Sequence, residues 1–552
     1  MSDLKMYKDK HICKFDYIVI GSGTAGSIIG RDLSDNTNNS VLIIEEGQYK
    51  VNDPEILNTQ NPFAVSFDPK FSVNLPTVPE PGLGGQQAIL RYAVTVGGSS
   101  AHYYLLTVYG SPQFFTSLIP FGGPGWSYDN AINIYKQLQD YDGPITPNSV
   151  HAVGGPIGIR QNIPAQNAFM TIIPTLMAQL SPGDPGVPIA VDYNNRYNNV
   201  IGLATQQFIQ RNGNRSFTGR DFLGPGIVTP NGIGLGGRKL RLLTSAFVNR
   251  IIFDDKLRAR AVEVVIDGQT FIFRARKRII LSAGSLNTPL ILMRSGIGPA
   301  DLLTSLGINT LVNNPNVGNH LRTHYGTTML LNVAESQFVG TSNTSNIVAF
   351  LNLLPGETSR RVQYIVAPGV IGIPPTLFTT LGIPPNPPPG RVYLTCIIWD
   401  LKPLEGTIKL STPESHAQPT VNINFYSDSI DVTTIRNAVL LMKNVFDVAN
   451  ASNPGDYLVS YPPPSAFTNV PISLDPFLPI ALSTADHYSG TARMGHSIVD
   501  SVVNGETLEV FNVDRLMVGD NSIFPIIPDG NTGFPAMYVG KRAIQIIQNS
   551  GL

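Results

Sequence analysis

The sequence predicts an α/β fold built from two interleaved parts, a Rossmann-like nucleotide-binding domain and a domain of sheet and helices. Three observations support this prediction. A glycine-rich turn joins a strand to a helix near residue 20, strand-like alternation recurs at 241–255 and 264–284, and a short apolar strand ends in Gly-Asp near residue 520. The chain has 552 residues, 42% of them hydrophobic, and this length exceeds what one core usually buries.

The N-terminal motif reads FDYIVIGSGTAGSIIGRDLSDNTNNSVLIIEEG. An apolar strand at 17–20 turns through three glycines into a helix, and a second strand at 41–44 ends in an acidic residue. Such glycines let the backbone approach a pyrophosphate at the helix N-terminus, and an acid about 20 residues further on binds ribose hydroxyls. The motif therefore predicts a dinucleotide site, with candidate residues Gly21, Gly23, Thr24, Ala25, Gly26 and Glu45.

The far end of the chain favours FAD over NAD, although both cofactors use this motif. A strand at 516–518 is followed by Gly519 and Asp520, and a helix is expected from about residue 537. An acid placed after such a strand can accept hydroxyl hydrogen bonds from an extended FAD molecule. A nicotinamide domain would normally be complete much earlier in the sequence.

Four separated segments together resemble the glucose-methanol-choline family of FAD-dependent oxidoreductases. They are the N-terminal motif, TVGGSSAHYYLLTVYG at 95–110, LSAGSLNTPLILMRSGIGP at 281–299, and the C-terminal pair HYSGTARMG and GDNSIFPIIPDGNTGFPAM. The resemblance implies further cofactor-binding residues, with the backbone of Val248 at the adenine. They are Gly97, Gly98, Ser99, Ser100, His102, Val248, Ala283, Gly284, Asp520, Asn521, Asn531 and Thr532.

The same resemblance implies how the two domains divide the chain. The FAD-binding domain is expected at 14–110, 205–325 and 484–552, and the substrate-binding domain at 111–204 and 326–483, after an N-terminal tail at 1–13. The strand-like segment 391–403 is expected in a sheet that roofs the flavin. The proline-rich run 364–390 is expected to be a loop or lid, because its prolines interrupt any helix.

The resemblance also assigns the catalytic residues. Oxidation of an alcohol by hydride transfer to flavin N5 requires loss of the hydroxyl proton, and an imidazole is a suitable acceptor near pH 7. In this family the histidine of the HxxGTxxMG-like segment lies at the flavin, and here it is His487. The second catalytic position is Asn531, whose amide can orient the substrate oxygen but cannot take the proton.

Separate expectations apply to three further residues, which are His102, Tyr103 and Asp486. In choline oxidase-like and pyranose oxidase-like relatives, a histidine at the offset of His102 carries the flavin covalently, and the resemblance leaves open whether this chain does the same. Tyr103 replaces an asparagine of many relatives, so a side-chain hydrogen bond to the flavin is in doubt there. Asp486 is expected to face solvent, with a more polar substrate pocket as the alternative.

Composition excludes several other functions. The net charge is −1, which gives no field for nucleic acid or an anionic membrane. Two cysteines, Cys13 and Cys396, cannot form a disulfide framework, and no histidine spacing suggests a metal site. The first residues do not resemble a signal peptide, and prolines break the longest uncharged run, so no membrane segment is expected and the localisation stays open.

Three functions remain open at this point. The first is an alcohol oxidase or dehydrogenase with a small-molecule alcohol as substrate and dioxygen or another electron acceptor. The second is a lyase, since some family members bind FAD and cleave cyanohydrins without redox chemistry. The third is a structural role as a homodimer or larger assembly at a particle surface, because the low charge and many asparagines are similar to family members on giant-virus particles.

Overall fold

The protein is described from a computed structural model. It describes residues 14–60, 62, 64–145, 149–161, 168–181, 192–195, 203–204, 206–338, 347–354, 362–370, 373, 375–401 and 405–550. The expected N-terminal tail at 1–13 lies outside the described residues.

The secondary structure alternates between strands and helices along most of the chain. The strands are β1 Lys14–Ile20, β2 Ser40–Ile44, β3 Ser72–Pro76, β4 Ile89–Ala93, β5 Gln139–Tyr141, β6 Ile157–Gln161, β7 Leu203–Ala204, β8 Gln207–Phe208, β9 Gln210–Arg211, β10 Asn214–Arg215, β11 Lys239–Leu243, β12 Phe247–Phe253, β13 Ala259–Ile266, β14 Gln269–Leu281, β15 Ile297–Gly298, β16 Val312–Asn313, β17 Asn319–Leu321, β18 Tyr325–Ala334, β19 Ile347–Leu351, β20 Val362–Pro368, β21 Arg391–Asp400, β22 Gly406–Lys409, β23 Thr420–Asn422, β24 Tyr457–Tyr461, β25 Ser483–Thr484, β26 Met494–Gly495, β27 Val503–Asn504 and β28 Leu516–Val518. The α-helices are α1 Thr24–Asp35, α2 Pro54–Leu57, α3 Ala64–Phe67, α4 Pro112–Gly122, α5 Tyr128–Leu138, α6 Ala168–Leu180, α7 Thr218–Leu223, α8 Gly284–Arg294, α9 Ala300–Ser305, α10 Pro375–Leu381, α11 Ser429–Ser452 and α12 Gly533–Asn549.

The first large sheet contains the N-terminal motif. Its strand order is β11-β2-β1-β14-β13-β12, and β28 also pairs with β14. Strands β11, β2, β1, β14 and β28 run parallel, and their apolar runs are buried because helices cover the sheet. Ile20 pairs with both Ile44 and Leu281, so the turns after these strands emerge at one edge.

The structure contains a second seven-stranded sheet. Its order is β24-β18-β21-β20-β19-β7, with β25 paired to β18. Successive side chains alternate between its faces. In β21, Cys396 and Ile398 pack in the core with α11 and α6, whereas Ile397 and Trp399 belong to an apolar cluster that includes Leu106.

The two sheets take their strands from different parts of the chain. The first sheet takes its strands only from the ranges expected for the FAD-binding domain, and most strands of the second lie within 326–483. This supports the predicted domains, whose boundaries stay a prediction.

The expectation of a loop or lid at 364–390 is wrong for part of that run. It contains most of β20 and the whole of α10. Pro368 ends the strand and Pro375 begins the helix, and at these two places a missing backbone N–H costs little. Within the described ranges, no helix combines the length and apolar character needed to cross a bilayer.

Candidate active site

The parallel strands of the first sheet end at a cavity of about 530 Å³. Gly21 follows β1, Glu45 follows β2, and Asp520 lies two residues after β28. Ligands of open α/β sheets bind at this edge. Most predicted cofactor residues line the cavity: Gly21, Gly23, Thr24, Ala25, Glu45, Gly98, Ser99, Ser100, His102, Val248, Ala283, Gly284, Asp520, Asn521, Asn531 and Thr532.

Gly26 and Gly97 lie behind the cavity wall and do not line it. A side chain at Gly26 would overlap the carbonyl oxygen of Gly21, so this glycine lets α1 pack onto the turn after β1. Gly97 has a φ of +100°, and a Cβ there would lie 2.8 Å from the ring of Phe217. Both glycines therefore serve close packing, and their contact with the cofactor stays a prediction.

Glu45 is held in a fixed orientation. Its Oε2 accepts hydrogen bonds from the backbone N–H and the hydroxyl of Ser22 at 2.9 and 2.8 Å, and its Oε1 accepts one from Gly47 N at 2.9 Å. Burial raises the pKa of this carboxyl, and the three hydrogen bonds oppose the shift. The acid thus occupies the position at which the motif predicts ribose binding.

Asp520 joins the turn after β28 to the first residues of α8. Its Oδ2 accepts hydrogen bonds from Gly284 N at 2.9 Å and Thr288 Oγ1 at 2.6 Å, and burial raises the pKa of the carboxyl. Next to it, Asn521 Oδ1 is buried and has no hydrogen-bond partner in the described part of the chain. Because buried acceptors normally have a donor, this oxygen fits a cavity that holds a polar ligand.

His102 is buried at the cavity with one ring nitrogen engaged. Its Nδ1 lies 2.9 Å from the hydroxyl of Ser72. Burial lowers the pKa of the imidazole to about 3, and nearby Arg215 and Arg91 add to the effect. The ring is therefore neutral, and Nδ1 is the ring nitrogen that contacts the hydroxyl of Ser72.

The hydroxyl of Tyr103 donates a hydrogen bond to the carbonyl of Ser216 at 2.9 Å.

His487 and Asn531 lie side by side, as the sequence predicts, and two further residues join them. Asn531 Nδ2 is 3.3 Å from His487 Nε2, and Gln363 Nε2 donates to Asn531 Oδ1 at 2.8 Å. On the other side, His487 Nδ1 is 2.8 Å from His324 Nδ1. These contacts form one continuous row of polar side chains from Gln363 to His324.

Both rings of the histidine pair are held neutral. Burial lowers the pKa of His487 well below the ordinary histidine value, and the neighbouring His324 adds to this because two adjacent charged rings repel. Burial lowers the pKa of His324 to about 3, with an opposite contribution from the carbonyl of Pro528. The ring of Trp399 meets His487 edge-on, with centroids 5.3 Å apart.

The structure corrects the expectation for Asp486. Its carboxylate does not point into solvent: Oδ1 accepts hydrogen bonds from Arg91 N, Thr484 Oγ1 and the hydroxyl of Tyr488 at 3.2, 3.0 and 2.5 Å. These donors compensate for burial, which raises the pKa of the carboxyl. Asp486 also lines the cavity, which makes this wall more polar.

Comparison with known proteins identifies the family. Residues 15–326 and 403–540 match the N- and C-terminal models described as GMC oxidoreductase. The chain belongs to the GMC oxidoreductase family. A choline dehydrogenase described as oxygen-dependent, from Sinorhizobium fredii, is 27% identical over 96% of this chain and 94% of its own length.

Solved GMC structures share the fold. Pyridoxine 4-oxidase from Mesorbium loti superposes with a TM-score of 0.80 at 22% identity, over 97% of this chain and 99% of that one. A formate oxidase from Aspergillus oryzae gives a TM-score of 0.81 at 22% identity, over 97% and 98%. As a GMC oxidoreductase the chain binds FAD and acts on alcohols.

The residues of this chain fit that cofactor. The glycine turn at the N-terminus of α1, the fixed carboxylate of Glu45 and the unpartnered acceptor of Asn521 all lie on one cavity. In the described ranges, no three His, Cys, Asp or Glu side chains come together as metal ligands.

Sequence reasoning missed His324, Gln363 and Trp399. His324 immediately precedes β18, whereas Gln363 lies on β20 and Trp399 on β21. These three strands are consecutive in the second sheet, and this pairing of distant segments brings the three residues to the site. His496 Nε2 lies 2.6 Å from the carbonyl oxygen of Pro120.

Proposed function

We propose that the protein oxidises an alcohol to an aldehyde or ketone, with His487 as the general base. The observation that carries this proposal is the state of His487 Nε2. It faces the amide N–H of Asn531 and therefore presents a lone pair, on a ring that burial keeps neutral. A neutral imidazole nitrogen beside the cavity is the group that alcohol deprotonation needs.

Asn531 would orient the substrate. Asn531 Nδ2 and His487 Nε2 are 3.3 Å apart, so the oxygen of one alcohol lying in front of both nitrogens would contact both. The hydroxyl would then donate to His487 Nε2 while its oxygen accepts from Asn531 Nδ2. Gln363 fixes this direction because its N–H occupies Asn531 Oδ1.

The proton and the two electrons leave the substrate by different routes. FAD, when bound, supplies the acceptor for the hydride from the carbinol carbon. The hydroxyl proton goes to His487 Nε2, and the product is the carbonyl compound. Trp399 and Leu106 belong to the apolar cluster next to this point, which limits the access of water.

Anaerobic reduction of the flavin by alcohols tests the proposal. We expect bleaching of the flavin absorbance with at least one member of a panel of aryl, aliphatic, sugar and amino alcohols that includes choline. His487→Ala should retain flavin but slow reduction by about two to four orders of magnitude, the usual contribution of a positioned base. Asn531→Ala should slow it less.

Two results would contradict these roles. One is a nearly silent His487→Ala with a severe Asn531→Ala. The other is an unchanged flavin spectrum together with cleavage of a cyanohydrin, which would indicate a lyase. Admission of dioxygen after reduction then distinguishes an oxidase from a dehydrogenase that needs another acceptor.

A further inference from the structure

We propose that His324 is a positioning residue that keeps the proton of neutral His487 on Nδ1 and leaves Nε2 free to act as the base. This inference rests on the proposed function of His487. His324 does not line the cavity, so it acts through His487 rather than on the substrate. The two Nδ1 atoms are 2.8 Å apart, a hydrogen-bond distance that requires one proton between them.

The direction of the neighbouring hydrogen bonds decides which of the two Nδ1 atoms carries that proton. Gln363 Nε2 donates to Asn531 Oδ1, and Asn531 Nδ2 donates to His487 Nε2. Since Nε2 accepts, a neutral His487 must carry its proton on Nδ1. That proton is donated to His324 Nδ1, and His324 carries its own proton on Nε2.

The backbone fixes the two rings in this arrangement. Strands β18 and β25 pair Tyr325 with Thr484, and Ala485 N donates to the carbonyl of His324 at 2.8 Å. His487 N donates to Thr323 Oγ1 at 3.1 Å. The rings meet nearly perpendicular, at 87°, which directs the Nδ1–H of one ring to the lone pair of the other.

The pairing has a chemical consequence. With the opposite tautomer, the proton would lie on Nε2, and His487 could not accept the substrate proton. When His487 takes that proton at Nε2, it becomes an imidazolium whose Nδ1–H still donates to His324. An acceptor at this point therefore stabilises the charged base, as a carboxylate does in a catalytic triad.

Two substitutions separate this role from simple packing. His324→Asn keeps an acceptor oxygen at the position of Nδ1 but removes part of the ring volume. His324→Leu keeps more of the volume but has no acceptor. We expect anaerobic flavin reduction to slow about 100-fold in His324→Leu and less than about 10-fold in His324→Asn. The alcohol concentration at half-maximal rate should change by less than about twofold, since His324 lies outside the cavity wall.

His496→Leu and His496→Asn serve as matched controls on an exposed histidine and should reduce at the wild-type rate. If His324→Leu does not retain flavin, His324→Met supplies the same comparison. A rate for the apolar variant equal to or above that of His324→Asn would overturn the inference. A wild-type protein that no alcohol reduces would instead contradict the proposed function, so the two failures are distinguishable.

Discussion

At the residue scale, three buried histidines set the chemistry of the cavity. His102, His324 and His487 all have pKa values lowered by burial, and none of the three pairs with a carboxylate among the described residues. Their partners are a hydroxyl, another imidazole and an amide. Neutral rings can accept a proton or attack an electrophile, whereas charged rings can do neither.

The first prediction concerns the pH dependence of activity. His487 acts in its unprotonated form, so kcat/KM should fall only below its pKa in the free enzyme. Because burial lowers that pKa, we expect a plateau at neutral pH and an acid limb centred below about 6.5, the ordinary histidine value. A pH profile of kcat/KM with the best alcohol checks this. An acid limb centred at or above 6.5 would contradict the neutral, buried state of the ring.

The second prediction concerns covalent attachment of the flavin at His102. Ser72 engages Nδ1, so Nε2 is the ring nitrogen left to bond to the cofactor. After acid precipitation, we expect flavin in the wild-type pellet and free flavin from His102→Ala. His496→Ala is the matched control and should behave like the wild type. A yellow supernatant from wild-type protein would exclude the link.

At the element scale, the glycines of the turn between β1 and α1 differ in the space around them. A Cβ at Gly26 would overlap the carbonyl of Gly21, whereas a Cβ at Gly23 would meet only Gly98 Cα, at 3.9 Å, and would enter the cavity. We therefore expect that Gly26 is needed for the fold and that Gly23 leaves space for the ligand.

The third prediction follows from this difference. Gly26→Ala should lower the thermal stability of the protein and its flavin content together. Gly23→Leu should leave the fold intact and abolish flavin binding, because its side chain fills the space for the pyrophosphate. Gly226→Ala, at a glycine with open space around its Cβ, is the control and should change neither. Circular dichroism and flavin absorbance measure the two effects, and full flavin content in Gly23→Leu would contradict the prediction.

Elements with a local signal were predictable from the sequence, and elements made by distant pairing were not. The β1-α1-β2 motif and β28 agree with the prediction because their patterns lie within a few residues. The pairing of His324 with His487 spans 163 residues and depends on the register of β18 with β25. Asp486 was misjudged for the same reason, since one of its donors is Arg91 on β4.

At the scale of the whole molecule, burial of neutral histidines links stability to pH. Between about pH 3 and 6.5, an unfolded chain protonates a histidine such as His324, and the folded chain does not. Above pH 6.5 the neutral His324 ring does not reduce the free energy of unfolding. Its contribution to that free energy is lost progressively as the pH falls from 6.5 toward 3. Asp221, whose pKa burial raises to about 6, acts in the opposite direction, so a comparison of variants is needed.

The fourth prediction uses that comparison. On unfolding in guanidinium at pH 5, His324→Leu should take up about one proton fewer than the wild type. A potentiometric titration in unbuffered solution measures the uptake. His496→Leu, at an exposed histidine, should match the wild type. Equal uptake by wild type and His324→Leu would show that His324 is charged in the folded protein.

The position of β28 in the first sheet has a consequence for synthesis of the chain. Strands β1 and β14 can pair early, but β28, which completes the sheet beside β14, is translated about 235 residues after β14 ends. At about 5–20 residues per second, the ribosome needs on the order of ten seconds to a minute for this interval. During that time the apolar edge of β14 has no partner, and Asp520 is absent from the cavity. A nascent chain therefore has to protect this edge from aggregation before it can bind its flavin, and we expect chaperones to occupy it.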